Sequence, residues 1–198
     1  MILRAIGKTL IGLGLLILAF IGYQLLGTNV VTGQSQSHLR IDLERAWAEP
    51  PPVEPSSVQE IGSGIAQIQI PKIGVDRVVV EGVGVDDLKK GPGHYPGTAI
   101  PGQVGNSVIS GHRTTYGAPF YRLDELVPGD VIKIIDRTRT EYRYRVSELR
   151  IVLPTDRKST APTSDSRLTL TTCHPRFSAR QRLIVVAILE DTQKEGTG

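Results

Sequence analysis

Seven short segments between Ile65 and Glu190 are built from alternating or β-branched residues, and clusters of Gly, Pro, Asp and Asn separate them. They read IAQIQIP, VDRVVVEGVGV, GNSVISGH, DVIKIID, EYRYRVSELRIVLP, RLTLTT and RLIVVAILE. Branched and aromatic side chains suit a pleated surface, and breakers at this spacing leave little room for long helices. The pattern predicts an all-β sandwich or closed barrel, with a helical turn or two at VDDLKK and YRLDEL. A domain over residues 65–191 is of ordinary single-domain size and can bury a proper core.

The chain ahead of this domain has a different character. From Thr9 to Gly27 no side chain is charged, and Leu, Ile, Ala, Gly and Phe dominate. A bilayer core of about 30 Å needs roughly 20 such residues in a helix. The apolar region of a cleaved signal is shorter, about 7–15 residues, and ends at a small-residue site that YQLLGTNV lacks. A retained anchor over 9–27 is therefore expected, with 1–8 as a cytoplasmic N-terminus. Arg4 and Lys8 precede the span and the next charge is Arg40, so the rest of the chain should lie outside the cell. Residues 28–64 read as an extracellular spacer. Leu39, Leu43 and Trp47 recur at helical spacing, as in a short amphipathic helix lying on the domain or the membrane surface, and a Pro-rich run, PPPVEPSS, follows as an extended, semi-rigid stretch. A polar tail over 192–198 closes the chain. The formal charge of +3 comes from scattered Lys and Arg, and no RNP-type or helix-turn-helix pattern is present, so no nucleic-acid partner is expected.

Cys173 is the single cysteine, and it stands in an external domain where disulfides persist. One thiol is a buried small hydrophobe, an intermolecular bridge or a reactive group. In RLTLTTC, alternation puts Leu168, Leu170 and Thr172 on one face and Thr169, Thr171 and Cys173 on the other. With the leucines in the core, Cys173 points away from it. If RLTLTTC and RLIVVAIL form a hairpin, Arg182 stands beside Cys173 at the base of the loop, where a guanidinium can stabilise an oxyanion. Arg176 and Arg180 fall within that loop and rank lower. A cysteine nucleophile needs a proton acceptor, usually His. His38 belongs to the spacer, and His174 faces opposite to its neighbour Cys173. His112 ends an apolar run at the start of a loop and is preferred, with His94 in GPGHYPG second.

TLTTC, followed nine residues later by Arg and preceded by SGHR, resembles the sortases, membrane-anchored cysteine transpeptidases of Gram-positive cell envelopes. GPGHYPGTAIPGQVGNSVISGHRTTYGAPFYRLDEL and TTCHPRFSARQRL are most similar to class E sortases of high-GC Gram-positive bacteria. The resemblance implies an eight-stranded β-barrel after the transmembrane helix. It also implies a catalytic trio of Cys173 as nucleophile, His112 as general acid and base, and Arg182 stabilising the oxyanion and substrate. Tyr116, Thr171 and Thr172 are the substrate-binding candidates, Tyr116 being linked to a preference for LAxTG over LPxTG sorting signals. The implied partners are secreted proteins with C-terminal sorting signals, together with an amine of peptidoglycan or of its lipid-linked precursor. Neither a cofactor nor a metal is expected. A pilin-polymerising sortase is disfavoured because the spacer has no DP-aromatic motif and the tail is polar. An unrelated extracellular cysteine protease of the papain type would carry its Cys on a helix N-terminus, and LTLTTC is strand-like. A non-catalytic binding module would have lost one of the trio.

Overall fold

The apolar alternation of the seven segments is realised as strands whose inward side chains share one core. A computed structural model describes residues 2–23, 27–49 and 59–194. The Pro-rich part of the expected spacer, 50–58, and the end of the tail lie outside the described residues. The strands are β1 (Gly64–Ile70), β2 (Val75–Glu81), β3 (Gly93–His94), β4 (Gly105–Ser110), β5 (Val131–Asp136), β6 (Thr140–Val152), β7 (Ser166–His174) and β8 (Gln181–Lys194). They form a closed barrel in the order β1-β2-β3-β4-β7-β8-β6-β5. The pairs β2/β3 and β4/β7 are parallel, and the others antiparallel. Closure leaves no long free edge.

The barrel is filled by Ile68, Ile70, Ile109, Ile132, Ile134, Leu168, Leu170 and Val185, with Phe120 and Leu123 plugging it from the β4–β5 connection. Each such side chain contributes about 1.5–3 kcal/mol when fully buried. Tyr144 is the largest of the fully buried residues. Its hydroxyl accepts a 2.7 Å bond from the Gly102 amide, and burial pushes the phenol up to about 12.

The strand absent from the sequence reading is β3. Two residues in a glycine- and proline-rich loop carry no periodicity to detect. The position nevertheless needs glycine, because a Cβ on Gly93 would stand 2.1 Å from the Gly82 carbonyl oxygen. Of the expected helical turns, VDDLKK forms α3 (Val85–Lys90), and Leu123–Glu125 in YRLDEL makes one 3-10 turn. For chain-order labels, α1 is Ile2–Gly22 and α2 is Thr28–Ala48.

Helix α1 has no buried residue, so its apolar side chains meet nothing within the described protein, and it is long and apolar enough to cross a bilayer. Helix α2 is the helix expected within residues 28–64. It is longer than the Leu39–Trp47 stripe predicts, and it lies against the barrel. Leu39 and Leu43 are buried on Val78 and Val80 of β2, and Trp47 packs beside them while its Nε1 donates to the Asp136 carbonyl at 2.7 Å. Gln36 accepts from the Val78 amide at 2.8 Å and donates to the carbonyls of Val78 and Lys90 at 3.0 and 2.9 Å. On β2, β3 reaches only Val80 and Glu81, so this side chain takes over the rungs that β3 is too short to supply.

Candidate active site

β7 has Leu168 and Leu170 in the core, and the expected hairpin with β8 forms in a register that sets Cys173 opposite Arg182 and His174 opposite Gln181. Cys173 is a free thiol and partly exposed. Cross-strand neighbours of this kind lie about 4.5–5.5 Å apart. The Arg182 fork is pinned at one end, where Nη1 donates to the carbonyls of Ala179 and Gln181 at 2.9 and 3.0 Å.

On the other side of β7 runs β4. Its last paired residue is Ser110, opposite Thr171, and the Gly111 amide extends the contact by donating to the Thr171 carbonyl at 3.1 Å. Continued two residues past the end of β4, that register would bring His112 level with Cys173. His112 is only partly exposed, and burial holds its imidazole below the ordinary value of 6.5 by disfavouring the charged form. Its Nδ1 lies 3.5 Å from the Thr115 hydroxyl, and the Tyr116 ring covers it with centroids 5.0 Å apart. Tyr116, Gly117 and Ala118 all have positive φ, at 51°, 72° and 40°. A bulky residue in that region is rare, and such strain persists only where the surroundings enforce it. Here the surroundings include α2, because Asn29 Oδ1 accepts from the Gly117 amide at 2.9 Å.

A family profile described as a sortase domain matches residues 68–190. The chain belongs to the sortase family. It is 34% identical to sortase SrtE1 of Streptomyces coelicolor, over 92% of this chain and 55% of that protein. It is 32% identical to sortase D of Bacillus subtilis, over 87% and 89%. The chain thus spans about half the length of the Streptomyces relative and most of the Bacillus one. Among solved structures, a Clostridium perfringens sortase D5 transpeptidase superposes with a TM-score of 0.68 at 31% identity, covering 82% of this chain and 99% of that one. Sortase E of Streptomyces avermitilis gives 0.60 at 39%, covering 68% and 92%.

The remaining candidates of this sortase fall into two groups. Thr171 is on the same face as Cys173 and borders a cavity of about 60 Å³ with Tyr95, Leu153, Arg182 and Ile184. Thr169 and Thr171 are buried although they face away from the barrel core, because the segment around residues 153–161 covers that outer face. Thr172 lies on the leucine face, as its alternation predicts, with its side chain buried; its hydroxyl donates to the Gly111 carbonyl at 2.7 Å and ties β7 to β4.

His94 is likewise occupied. Nδ1 meets Glu81 Oε2 at 2.7 Å, Nε2 meets the Ala99 carbonyl and Thr98 hydroxyl at 3.0 Å, and the ring is fully buried. It pairs in register with Ile109, three residues short of His112. Arg180 is exposed in the β7–β8 loop. Arg176, ranked low with it, donates to Asp124 at 3.0 Å and stacks over Tyr121 at 4.4 Å.

The sequence reading passed over Arg113, which is almost wholly buried. Nη1 donates to the Cys173 carbonyl at 3.3 Å, Nε donates to the Tyr121 carbonyl at 2.9 Å, and Nη2 stands 2.9 Å from Asp124 Oδ1. Its only sequence signal is its place in SGHR, directly after the histidine.

Proposed function

We propose that this protein is a membrane-anchored cysteine transpeptidase that cleaves a sorting signal between Thr and Gly and joins the new carboxyl end to an amine of the cell wall. The observation that carries the reading is a partly exposed thiol, Cys173, paired across to Arg182 on β8, with β4 ending at Ser110 beside Thr171 and so leading His112 toward the same end of β7. The 34% identity to a Streptomyces sortase E1 and 32% to a Bacillus sortase D supports the same reaction class.

The chemistry follows from the positions. The Cys173 thiolate adds to the Thr–Gly carbonyl, and the oxyanion that forms is stabilised by the Arg182 guanidinium and backbone donors. The His112 imidazolium gives its proton to the departing glycine amine, the C–N bond breaks, and a thioester remains. The acceptor amine then attacks the thioester, neutral His112 takes its proton, and Cys173 leaves as thiolate. Burial of His112 favours its neutral form, which makes the imidazolium a minority species near neutral pH.

Substrate choice rests on the segment with Tyr116, which stands over His112. We take LAxTG or LPxTG peptides as the signals. A Clostridium perfringens sortase C, 27% identical with a TM-score of 0.63, has been solved with a C-terminal cell wall sorting motif, which supports an extended peptide ligand. The acceptor is an amine of peptidoglycan or of its lipid-linked precursor. Helix α1 anchors the protein, with Arg4 and Lys8 on the cytoplasmic side and the barrel outside.

The test uses full-length protein in detergent micelles with quenched LAxTG and LPxTG peptides, with and without a glycine-based amine. Mass spectrometry is expected to show cleavage at Thr–Gly, capture of the amine and a thioester on Cys173, all absent in Cys173→Ala. Cleavage that ignores the amine would make it a hydrolase and overturn the proposal.

A further inference from the structure

We propose that Arg113 is a positioning residue that fixes the His112 imidazole against the Cys173 thiol by replacing, with its side chain, the last rung of the β4–β7 ladder. This rests on the transpeptidase reading of the site and deepens it.

The ladder shows where the rung is missing. In the parallel β4/β7 pair the Gly111 amide donates to the Thr171 carbonyl. Two residues further along each strand, the next donor in that register would be the Arg113 amide and the next acceptor the Cys173 carbonyl. The backbone has left the sheet by then, since the β4 strand ends at Ser110. The carbonyl is claimed by Arg113 Nη1 at 3.3 Å. His112 is therefore bracketed. The residue before it is tied to Thr171, the residue after it to Cys173, and both tethers run to residues on the thiol-bearing face of β7. The Phe120 amide holds the His112 carbonyl itself at 3.2 Å.

A buried guanidinium needs partners for its other donors. Nε donates to the Tyr121 carbonyl and Nη2 forms an ion pair with Asp124, so the β4–β5 connection is fixed by the same group. Asp124 in turn accepts from Arg176 in the β7–β8 loop, and Arg176 stacks on Tyr121. Glu125, paired with Arg122, lies 4.0 Å from Arg176 at the rim. Burial raises the Asp124 carboxyl, but Arg113 and Arg176 outweigh this and hold it below the ordinary carboxylate value. The network joins the two loops that flank the thiol. Only a planar fork reaches three acceptors in different directions, so lysine cannot substitute.

The mechanism needs the imidazole and the sulfur held to a fraction of an ångström, and a misplacement of about 1 Å costs on the order of 100-fold. Removing the fork should therefore lower turnover with little effect on peptide binding.

The test compares Arg113→Lys, Asp124→Asn and Arg176→Gln with the parent, all full-length in micelles. Two readouts are used, peptide transpeptidation and the rate of Cys173 alkylation by iodoacetamide as a function of pH. The second needs no sorting signal, so it reports on the thiol–imidazole geometry even if the parent processes neither LAxTG nor LPxTG and the transpeptidase reading fails. Expected are a kcat about 10- to 100-fold lower for Arg113→Lys with KM within about twofold, and an alkylation pH profile displaced from the parent's. A smaller effect of the same kind is expected for Asp124→Asn, and the least for Arg176→Gln. If Arg113→Lys does not fold, Asp124→Asn decides by the same two readouts. Lowered melting temperature with kcat and alkylation profile unchanged would make Arg113 a brace of the fold and overturn the proposal.

Discussion

Gln36 does for β2 what a neighbouring strand would do, and its removal has a calculable effect. In Gln36→Leu the Val78 amide, the Val78 carbonyl and the Lys90 carbonyl all lose their partner. A buried polar group left unpaired costs about 1–3 kcal/mol. Val78 is fully buried, whereas Lys90 is partly exposed and can turn to water, so two groups carry the loss. The docked state of α2 should weaken by about 2–6 kcal/mol, which raises its undocking equilibrium roughly 30-fold or more. Amide hydrogen exchange of full-length protein in micelles reads this at Leu39 to Leu43, whose amides exchange when the helix detaches. Gln36→Glu should be no better, because a carboxylate can accept from the Val78 amide but confronts two carbonyls with no donor. Protection of the α2 amides within twofold of the parent in Gln36→Leu would refute the argument.

Two further outcomes follow from the site and the barrel. Burial lowers the His112 pKa, so its contribution to stability is present above about 6.5, the unfolded value, and is lost as pH falls through the lower folded value. In Cys173→Ala, which removes coupling to the thiol, the NMR titration midpoint of His112 should lie below 6.5 and move up when Tyr116→Ala uncovers the ring; a midpoint at or above 6.5 contradicts the burial account. Gly93→Ala should detach β3 from β2, since the new methyl meets the Gly82 carbonyl at 2.1 Å, and a melting temperature unchanged from the parent would show that the backbone yields more easily than the contact implies.

The barrel and the thiol were legible in the chain because they obey periodicities. Leu168 and Leu170 alternate with Thr169 and Thr171, and that alone turns Cys173 off the leucine face. The parts that escaped notice are those whose partners are backbone. Helix α2 hides a continuous stripe of Thr28, Thr32, Gln36, Leu39, Leu43 and Trp47, but only its second half is apolar. The first half faces strand-edge and helix-end carbonyls, where donors are wanted. Thr32 Oγ1, for example, donates to the Lys89 carbonyl at 2.8 Å. A search for apolar residues at helical spacing therefore finds half the helix. Arg113 escaped for a related reason, since its acceptors are carbonyls contributed by Tyr121 and Cys173, which no side-chain pattern announces. Alternation put Thr172 on the leucine face, where it lies, but could not announce its bond to the Gly111 carbonyl.

Only five residues separate the end of α1 from the start of α2, and α2 is fastened to the barrel along its length. Five residues, however they are arranged, span at most about 20 Å. With α1 seated in a bilayer, the docked α2 and the segment that Asn29 grips at Gly117 keep the catalytic end of the molecule close above the lipid, with almost no leash to swing on. The enzyme then works a thin sheet of space and not a hemisphere. Under the proposed function its encounters are then two-dimensional, set by lateral diffusion, and a peptide or amine farther out in the wall would be beyond reach until its own chain brought it down to the membrane surface.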